Sequence, residues 1–224
     1  ISKVMLTAPG KDIPNIVNGI TPFNDKMENI FSAASCTTNT IVPVLKIMND
    51  KYGIKNVHIE TIHSYTNDQN LIDNYHKKSR RGRGAPDNIV LTTTGAAIAA
   101  GKCLPELKGK ITASSVRVPV PNVSVAIMIM DLNKNINLEE LNNYLEEIST
   151  LGDLHKQIEL YKFPDGVSKD FIGNKHTSII DASATRVSLD GTRCHLYVWY
   201  DNEYGYSCQV VRLIEDIIKL SNTI

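Results

Sequence analysis

A cysteine followed by hydroxyl-bearing residues is the first feature of this 224-residue sequence that could do chemistry. Cys36 follows a short apolar run over 30–34, and a longer apolar run begins at Ile41. The first run predicts a strand and the second a helix that ends near Tyr52. Cys36 would begin that helix, where unpaired N–H groups and the helix dipole favour an anion and lower a thiol pKa. We therefore expect a nucleophilic thiolate; the alternative is a small buried cysteine in a capped helix.

Neighbouring side chains could support such a nucleophile. Ser35, Thr37 and Thr38 carry hydroxyls that can cap the helix or hold an oxyanion or phosphate. His63 ends the next predicted strand, where an imidazole can act as a base or as a cationic neighbour of a thiolate. The alternative for His63 is a structural histidine bonded to the backbone. We predict no catalytic role for the other five histidines, which are His58, His76, His155, His176 and His195.

The composition narrows the function classes. Hydrophobic residues make up 42% and charged residues 21%, as is usual for a soluble globular protein. Lys plus Arg and Asp plus Glu both number 24, so no excess charge points to a nucleic acid or a membrane surface. No apolar run approaches the ~20 residues that span a bilayer. The four cysteines form no CxxC pair, so neither a metal site nor a disulfide scaffold is predicted, and a reducing cytoplasm fits.

Strands and helices must position these residues. Strands are predicted over 4–8, 13–20, 56–62, 112–118, 122–132, 179–189 and 194–200, and helices over 36–52, 95–104, 138–148 and 206–220. Pro43 should kink the first helix or begin a fresh turn, and Asn137 should cap the third helix. A turn at Asp190-Gly191 should join the last two strands, and 22–28 should be a polar connection. The long basic loop over 64–88 is either functional or a solvated surface.

Five ordered motifs resemble the glyceraldehyde-3-phosphate dehydrogenase family. They read SCTTN at 35–39, TIHSYTNDQ at 61–69, TTGAA at 93–97, RVP at 117–119 and WYDNEYGYS at 199–207. The resemblance covers essentially the whole chain. It implies an α/β architecture, more closely an α+β catalytic domain, in which helices cover one face of a mixed, largely antiparallel sheet.

The resemblance also implies a division into domains. Residues 1–35 would be the last part of a Rossmann dinucleotide-binding domain, 36–201 the catalytic domain, and 202–224 a helix that returns to the first domain. No GxGxxG occurs in the sequence, so we expect a truncated chain that starts late in the Rossmann domain. Such a chain should bind NAD very weakly, show negligible dehydrogenase activity, and expose an apolar face that promotes self-association.

The resemblance implies a role for each site residue. Cys36 would be the nucleophile, and His63 would be the base for the hydride-transfer step. The implied substrate- and phosphate-binding residues are Ser35, Thr37, Thr66, Arg81, Thr94, Gly95 and Arg117. Thr66 and Arg117 match the substrate-phosphate side. The inorganic-phosphate or anion side is matched by Ser35, Thr37, Thr94 and Gly95. Arg81 matches an arginine that can approach the anion, and the alternative for Arg81 is a solvated charge. The implied cofactor-binding residues are Asn202, which would bond the nicotinamide carboxamide, and Glu203 and Tyr206, which would line its pocket.

The implied reaction oxidises an aldehyde phosphate to an acyl phosphate. It proceeds through a thiohemiacetal and a thioester on Cys36, with inorganic phosphate as acyl acceptor and NAD, or NADP, as cofactor. The implied setting is glycolysis, in a cytoplasmic homotetramer that packs through the loop over 64–88, with no metal, nucleic-acid or membrane partner.

Several positions depart from the family pattern. Ala33, Thr40 and Val120 replace the more usual Asn, Cys and Thr. Asn74-Tyr75 replace the Leu-Pro pair of NAD-selective members, which leaves both the substrate and the choice between NAD and NADP open. One alternative is an erythrose-4-phosphate dehydrogenase, in which water attacks the thioester. The other is a non-catalytic fragment in which Cys36 is a redox-sensitive or structural thiol.

Overall fold

The computed structural model describes residues 3–22 and 28–221, so most of the predicted connection over 22–28 lies outside the described residues. Within those ranges the strands are β1 (Val4–Leu6), β2 (Ile30–Ser32), β3 (Ile54–Ser64), β4 (Val90–Thr92), β5 (Ile111–Val118), β6 (Ser124–Leu132), β7 (Ile158–Tyr161), β8 (Ser178–Asp181), β9 (Arg186–Val187) and β10 (Arg193–Tyr200). The helices are α1 (Cys36–Tyr52), α2 (Ala96–Cys103), α3 (Leu138–Leu151) and α4 (Tyr204–Ser221).

One large sheet forms the centre of the fold. Its strand order is β4-β5-β3-β6-β10-β8-β7, and the short β9 pairs with β10. The pairs β3–β5 and β7–β8 are parallel, whereas β4–β5, β3–β6, β6–β10, β10–β8 and β10–β9 are antiparallel. The prediction of a mixed, largely antiparallel sheet is therefore confirmed.

The main core lies between this sheet and helices α1, α2 and α3. Along β3, Val57 and Ile59 are buried on the helix side, whereas His58 points away and is exposed. Helix α1 packs on β3, β6, β8 and β10, α2 packs on β5, and α3 packs on β7. Tyr52 of α1 meets Tyr144 of α3 edge to face, with ring centroids 5.6 Å apart. The helices therefore share one face of the sheet, as predicted.

Helix α1 begins and ends at its predicted residues. Ser35 is its N-cap, because the Ser35 hydroxyl accepts a hydrogen bond from the Thr38 N–H at 3.0 Å. Gly53 is its C-cap with φ +70°, a conformation that favours glycine, and its N–H bonds the Asn49 carbonyl at 2.9 Å. The helix runs through Pro43 as a single element, so the proline begins no separate helix.

The two ends of the described chain form a second, smaller apolar cluster. Strands β1 and β2 pair in parallel, and Phe31 packs with Ile16 and with Leu213 of α4. Large apolar side chains of these elements also remain exposed, namely Val4, Leu6, Ile30, Val211, Ile214 and Ile218. Among the residues that the structure describes, no helix is long and apolar enough to cross a membrane.

The predicted strand over 179–189 is wrong, because Asp181 ends it. The Asp181 carboxylate accepts hydrogen bonds from the Ser183 hydroxyl at 2.7 Å and the Ala184 N–H at 3.0 Å. Its other oxygen accepts from Trp199 Nε1 at 3.2 Å. These local bonds turn the chain, so that β8 and β9 are separate strands.

Three further differences concern short segments. Strands β4 and β7 are absent from the sequence prediction, because three or four residues show too little alternation to be recognised. The segment 13–20 is not a strand: only Asn15 forms a bridge, to Ser32, because Pro14 and Gly19 interrupt the pattern.

The predicted cap of α3 is confirmed, because the Asn137 side chain accepts a hydrogen bond from the Glu140 N–H at 2.8 Å.

Candidate active site

One open cavity of about 1140 Å³ gathers every residue that the sequence proposed for chemistry. It is lined by Ser35, Cys36, Thr37, His63, Thr66, Arg81, Thr94, Gly95, Arg117, Asn202, Glu203 and Tyr206. These residues come from the start of α1, the end of β3, the loop that follows, the start of α2, the end of β5 and the start of α4. The fold thus brings together residues that lie far apart in the sequence.

A tight turn before α1 presents Cys36 to the cavity. Ala34 adopts the left-handed backbone conformation with φ +59°, which is unfavourable for a residue with a Cβ. The Asn39 amide clamps this turn by donating to the carbonyls of Ala33 at 2.8 Å and Ser35 at 2.9 Å. The Tyr206 hydroxyl donates to the Ala34 carbonyl at 2.9 Å, so this predicted cofactor-site residue also holds the turn.

Cys36 and His63 form a directed pair. The Cys36 Sγ lies 3.7 Å from His63 Nε2. On the other side of the ring, Nδ1 lies 2.7 Å from the Ser64 carbonyl oxygen, which can only accept a hydrogen bond. Nδ1 therefore carries the proton and Nε2 presents its lone pair to the thiol. The Arg117 Nη1, 3.2 Å from Nδ1, is a close neighbour of this N–H and cannot bond to it, because both groups are donors.

The protonation states differ from the sequence prediction. Burial raises the pKa of the Cys36 thiol. The hydrogen bonds of Thr37 and the charge of Arg117 lower it, but the effect of burial is larger. Burial and the positive charge of Arg117 lower the pKa of His63 to about 4. The expected lowered thiol pKa is therefore wrong in this geometry: at neutral pH the site holds a thiol beside a neutral imidazole.

The hydroxyl residues divide into two groups. Ser35 is committed to capping α1, and Thr37 Oγ1 lies 3.0 Å from the buried Tyr200 hydroxyl. Gly95 is the N-cap of α2, and the Thr94 hydroxyl before it accepts a hydrogen bond from the Ala96 N–H at 3.1 Å. Two helix N-termini therefore open onto one cavity, an arrangement that favours an anionic ligand.

Arg117 contributes a positive charge without a carboxylate partner. Its Nη1 donates to the Ser64 carbonyl at 2.8 Å and to the Thr66 hydroxyl at 3.1 Å. Its Nε is buried and has no hydrogen-bond partner among the described residues. The ion pairs found over 3–22 and 28–221 do not include Arg117. A half-buried guanidinium with a spare, buried N–H donor is suited to an anionic ligand.

Arg81 differs from Arg117 because a carboxylate already faces it. Arg81 is only 7% exposed, and its Nη1 pairs with Asp68 Oδ2. Its Nε donates to the Thr92 hydroxyl at 2.9 Å and its Nη2 to the Thr93 carbonyl at 3.4 Å. The interpretation of Arg81 as a solvated charge is therefore wrong.

The Asn202 amide has a fixed orientation. Its Oδ1 accepts hydrogen bonds from the hydroxyls of Ser64 and Ser124, both at 2.9 Å. Its Nδ2 lies 3.3 Å from Glu203 Oε1. Because two serines occupy the oxygen and one N–H donates to Glu203, Asn202 offers its remaining N–H to a ligand in the cavity.

Sequence reasoning missed three residues that shape the site. Ser64 belongs to a quoted motif, yet the importance of its carbonyl could not be read from the residue type. Tyr200 packs edge to face on His63 with ring centroids 6.0 Å apart, and its position at the end of an alternating strand gave no hint of this contact. Asp68 also lies in a quoted motif, but its pairing with Arg81 depends on the course of the loop between them.

Two substitutions should move the pKa of Cys36 in opposite directions. Arg117→Gln removes a charge that lowers the thiol pKa, so the pKa should rise; Glu203→Gln removes a charge that raises it, so the pKa should fall. The measurement is the pH dependence of Cys36 alkylation by iodoacetamide, followed by peptide mass spectrometry. Arg193→Gln, which removes an exposed guanidinium on β10, is the control and should leave the midpoint unchanged. Shifts of the same sign in both variants would contradict the electrostatic assignment.

Comparisons with known proteins agree with the resemblance. The family model described as glyceraldehyde 3-phosphate dehydrogenase, C-terminal domain, matches residues 35–202. A glyceraldehyde-3-phosphate dehydrogenase-like protein of Pseudomonas aeruginosa (strain UCBPP-PA14) is 57% identical over 97% of this chain and 47% of its own length. Glyceraldehyde-3-phosphate dehydrogenase 1 of Bacillus subtilis (strain 168) is 45% identical over 97% of this chain and 65% of its own length. Glyceraldehyde-3-phosphate dehydrogenase of Geobacillus stearothermophilus is 44% identical over 94% of this chain and 63% of its own length.

The chain thus spans between about half and two thirds of the length of these curated relatives. The matching region includes Ser35 and Cys36 at the start of α1, strand β3 with His63, and strand β5 with Arg117. The chain therefore belongs to the glyceraldehyde-3-phosphate dehydrogenase family and contains the family's C-terminal domain.

Proposed function

We propose that this chain carries the catalytic half of a phosphorylating aldehyde dehydrogenase, an oxidoreductase that converts glyceraldehyde 3-phosphate to an acyl phosphate in cytoplasmic glycolysis. The observation that carries the proposal is the Cys36–His63 pair, with Sγ and Nε2 3.7 Å apart, in a cavity that also contains the buried Arg81 and the half-buried Arg117. The names of the relatives support this reading. All four cysteines are free, which fits a reducing compartment.

The first step is addition of the Cys36 thiol to the aldehyde. His63 Nε2 accepts the thiol proton as Sγ bonds to the carbonyl carbon. The aldehyde oxygen then takes this proton, which yields a neutral thiohemiacetal and returns His63 to its neutral form. The low pKa of His63, about 4, favours this return because an imidazolium is costly in the buried site.

The second step is oxidation of the thiohemiacetal to a thioester. His63 Nε2 accepts the hydroxyl proton while the carbon loses a hydride. Its Nδ1–H stays bonded to the Ser64 carbonyl at 2.7 Å, which stabilises the imidazolium that forms in this step. Inorganic phosphate then attacks the thioester carbon, and the sulfur of Cys36 leaves with the proton held by His63.

The substrate phosphate is proposed to bind at Arg117 and Thr66. Arg117 has a buried, unpartnered Nε, and Thr66 lies beside its Nη1 at 3.1 Å. Inorganic phosphate is proposed to bind near Ser35, Thr37, Thr94, Gly95 and Arg81, where the N-termini of α1 and α2 open onto the cavity.

A nicotinamide ring fits the residues around Asn202. The Asn202 amide presents Nδ2 as a donor, which suits a carboxamide carbonyl, and Glu203 and Tyr206 line the same cavity. NAD or NADP, when bound, supplies the acceptor for the hydride. The contribution of the chain is to orient that ring beside Cys36 and to hold the turn at Ala34 through the Tyr206 hydroxyl.

Acylation of Cys36 by acetyl phosphate tests the nucleophile and the base without a nicotinamide cofactor. We expect selective acetylation of Cys36, detected by peptide mass spectrometry. Cys36→Ser should abolish the adduct, and His63→Asn should slow its formation about 10²-fold or more, since general-base help contributes 10²–10⁴-fold. His155→Asn, which changes an exposed histidine outside the cavity, is the matched control and should react at the wild-type rate.

The same experiment separates the alternatives. Inorganic phosphate should accelerate loss of the acetyl group, whereas an erythrose-4-phosphate dehydrogenase, which uses water, should show no such dependence. Cys103 and Cys194 are buried and do not line the cavity, so neither should compete with Cys36. Equal acetylation of Cys103, Cys194 or Cys208 would contradict a catalytic Cys36 and favour a non-catalytic thiol.

We also propose that the loop over 64–88 mediates homotetramer formation. The observation that supports this is a group of large apolar side chains on the loop: Leu71 is 64% exposed, Ile72 76% and Tyr75 87%. Such a patch is unusual on a surface that remains solvated.

Ile72→Glu should weaken self-association about tenfold or more, because a carboxylate would have to be desolvated at the interface. Sedimentation velocity over a concentration series measures this. Leu189→Glu, at a fully exposed leucine elsewhere, is the control. Association unchanged by Ile72→Glu would contradict this interface; its loss in Val211→Glu instead would assign the contact to α4.

A further inference from the structure

The two arginines of the cavity are not equivalent, and the difference lies in one carboxylate. Arg117 has no carboxylate partner among the described residues, whereas Arg81 pairs with Asp68. Both arginines line the same cavity, and burial together with the charge of Arg117 lowers the pKa of Arg81. A ligand that carries negative charge therefore meets one free guanidinium and one that is already compensated.

Hydrogen bonds hold the Arg81 guanidinium in place independently of Asp68. Its Nε is held by the Thr92 hydroxyl at 2.9 Å and its Nη2 by the Thr93 carbonyl at 3.4 Å. Its backbone carbonyl accepts from the Asn70 N–H at 3.0 Å. The guanidinium is thus fixed at the end of β4, directly before Thr94 and Gly95 at the start of α2.

Asp68, by contrast, lies at the surface. Its side chain is 52% exposed, against 9% for the side chain of Arg81. Its second oxygen lies 3.6 Å from His76 Nε2, which offers the carboxylate another partner on the same loop. A carboxylate in this position can leave the guanidinium toward solvent or toward His76 without disturbing the core.

We infer that Asp68 is an internal competitor for the anion site at Arg81. Its carboxylate occupies the guanidinium until a phosphate group displaces it, so Asp68 sets the affinity of this site and keeps it weaker than the site at Arg117. This inference rests on the proposed function in that the displaced position is the one assigned to inorganic phosphate.

The turn that contains Asp68 also touches the other arginine. Thr66 accepts from Arg117 Nη1 at 3.1 Å, and the Thr66 carbonyl accepts from the Gln69 N–H at 2.9 Å, which closes a four-residue turn around Asp68. One short turn therefore contacts both guanidinium groups. Asp68 is a positioning and specificity residue, since it acts on the ligand through Arg81.

Calorimetric titration of the full 224-residue chain with inorganic phosphate tests the inference. Asp68→Asn should bind phosphate about fivefold tighter, the range expected for release of a half-exposed ion pair. Asp73→Asn is the matched control: Asp73 pairs with Arg83 at 2.9 Å on the same loop, outside the cavity, and its loss should leave the affinity unchanged.

The Arg81→Gln background separates a local effect from a general change in charge. There, Asp68→Asn should give no further gain. A gain that persists in this background, or a gain no larger than that of Asp73→Asn, would overturn the inference. The titration does not involve Cys36, so loss of the acetylation reaction would contradict the proposed function while leaving this result to stand on its own.

Discussion

The carbonyl oxygen of Ser64 is the group on which the rest of the site depends. It accepts hydrogen bonds from His63 Nδ1 at 2.7 Å and from Arg117 Nη1 at 2.8 Å. The parallel pairing of β3 and β5 places His63 beside Arg117 in register, so the sheet itself brings these two side chains to one carbonyl. The consequence is a defined tautomer: Nδ1 carries the proton and Nε2 faces the Cys36 thiol.

The electrostatics of the cavity follow from this arrangement. Burial, and after it the positive charge of Arg117, lowers the pKa of His63 and keeps the imidazole neutral, and burial of Cys36 favours the neutral thiol. At rest the site therefore contains a neutral imidazole that can accept a proton from the neutral thiol, and not a thiolate–imidazolium ion pair. The positive charge of Arg117 has no carboxylate partner among the described residues and is available to a ligand, whereas the charge of Arg81 is neutralised by Asp68. Two helix N-termini add to the attraction for phosphate groups without adding a titratable side chain.

Patterns that are local in sequence predicted much of the fold. The cap at Ser35, the apolar run after it and Gly53 define α1, and Asn137 defines the start of α3. The break at Asp181 was missed because the residues around it have strand-like character, while the hydrogen bonds that turn the chain come from one carboxylate. Short edge strands such as β4 and β7 are formed by pairing with neighbours and have too few residues to show a pattern of their own.

The identities of the site residues could be predicted from the sequence, whereas their protonation states and ion pairs could not. The quoted motifs named residues that all line one cavity, because each motif ends a strand or begins a helix at the same edge of the fold. The direction in which the pKa of the Cys36 thiol shifts was not predictable, because it depends on how deeply the start of α1 is buried and not on the residue type. The pairing of Asp68 with Arg81 likewise depends on the path of a loop that has no regular pattern.

The tautomer and charge of His63 form the central claim, and ¹⁵N NMR of the imidazole in the 224-residue chain measures both directly. The prediction is a protonated Nδ1 and an unprotonated Nε2 at neutral pH, with the ring remaining neutral until the pH approaches about 4. A ring protonated on both nitrogens at neutral pH, or a neutral ring with the proton on Nε2, would contradict it.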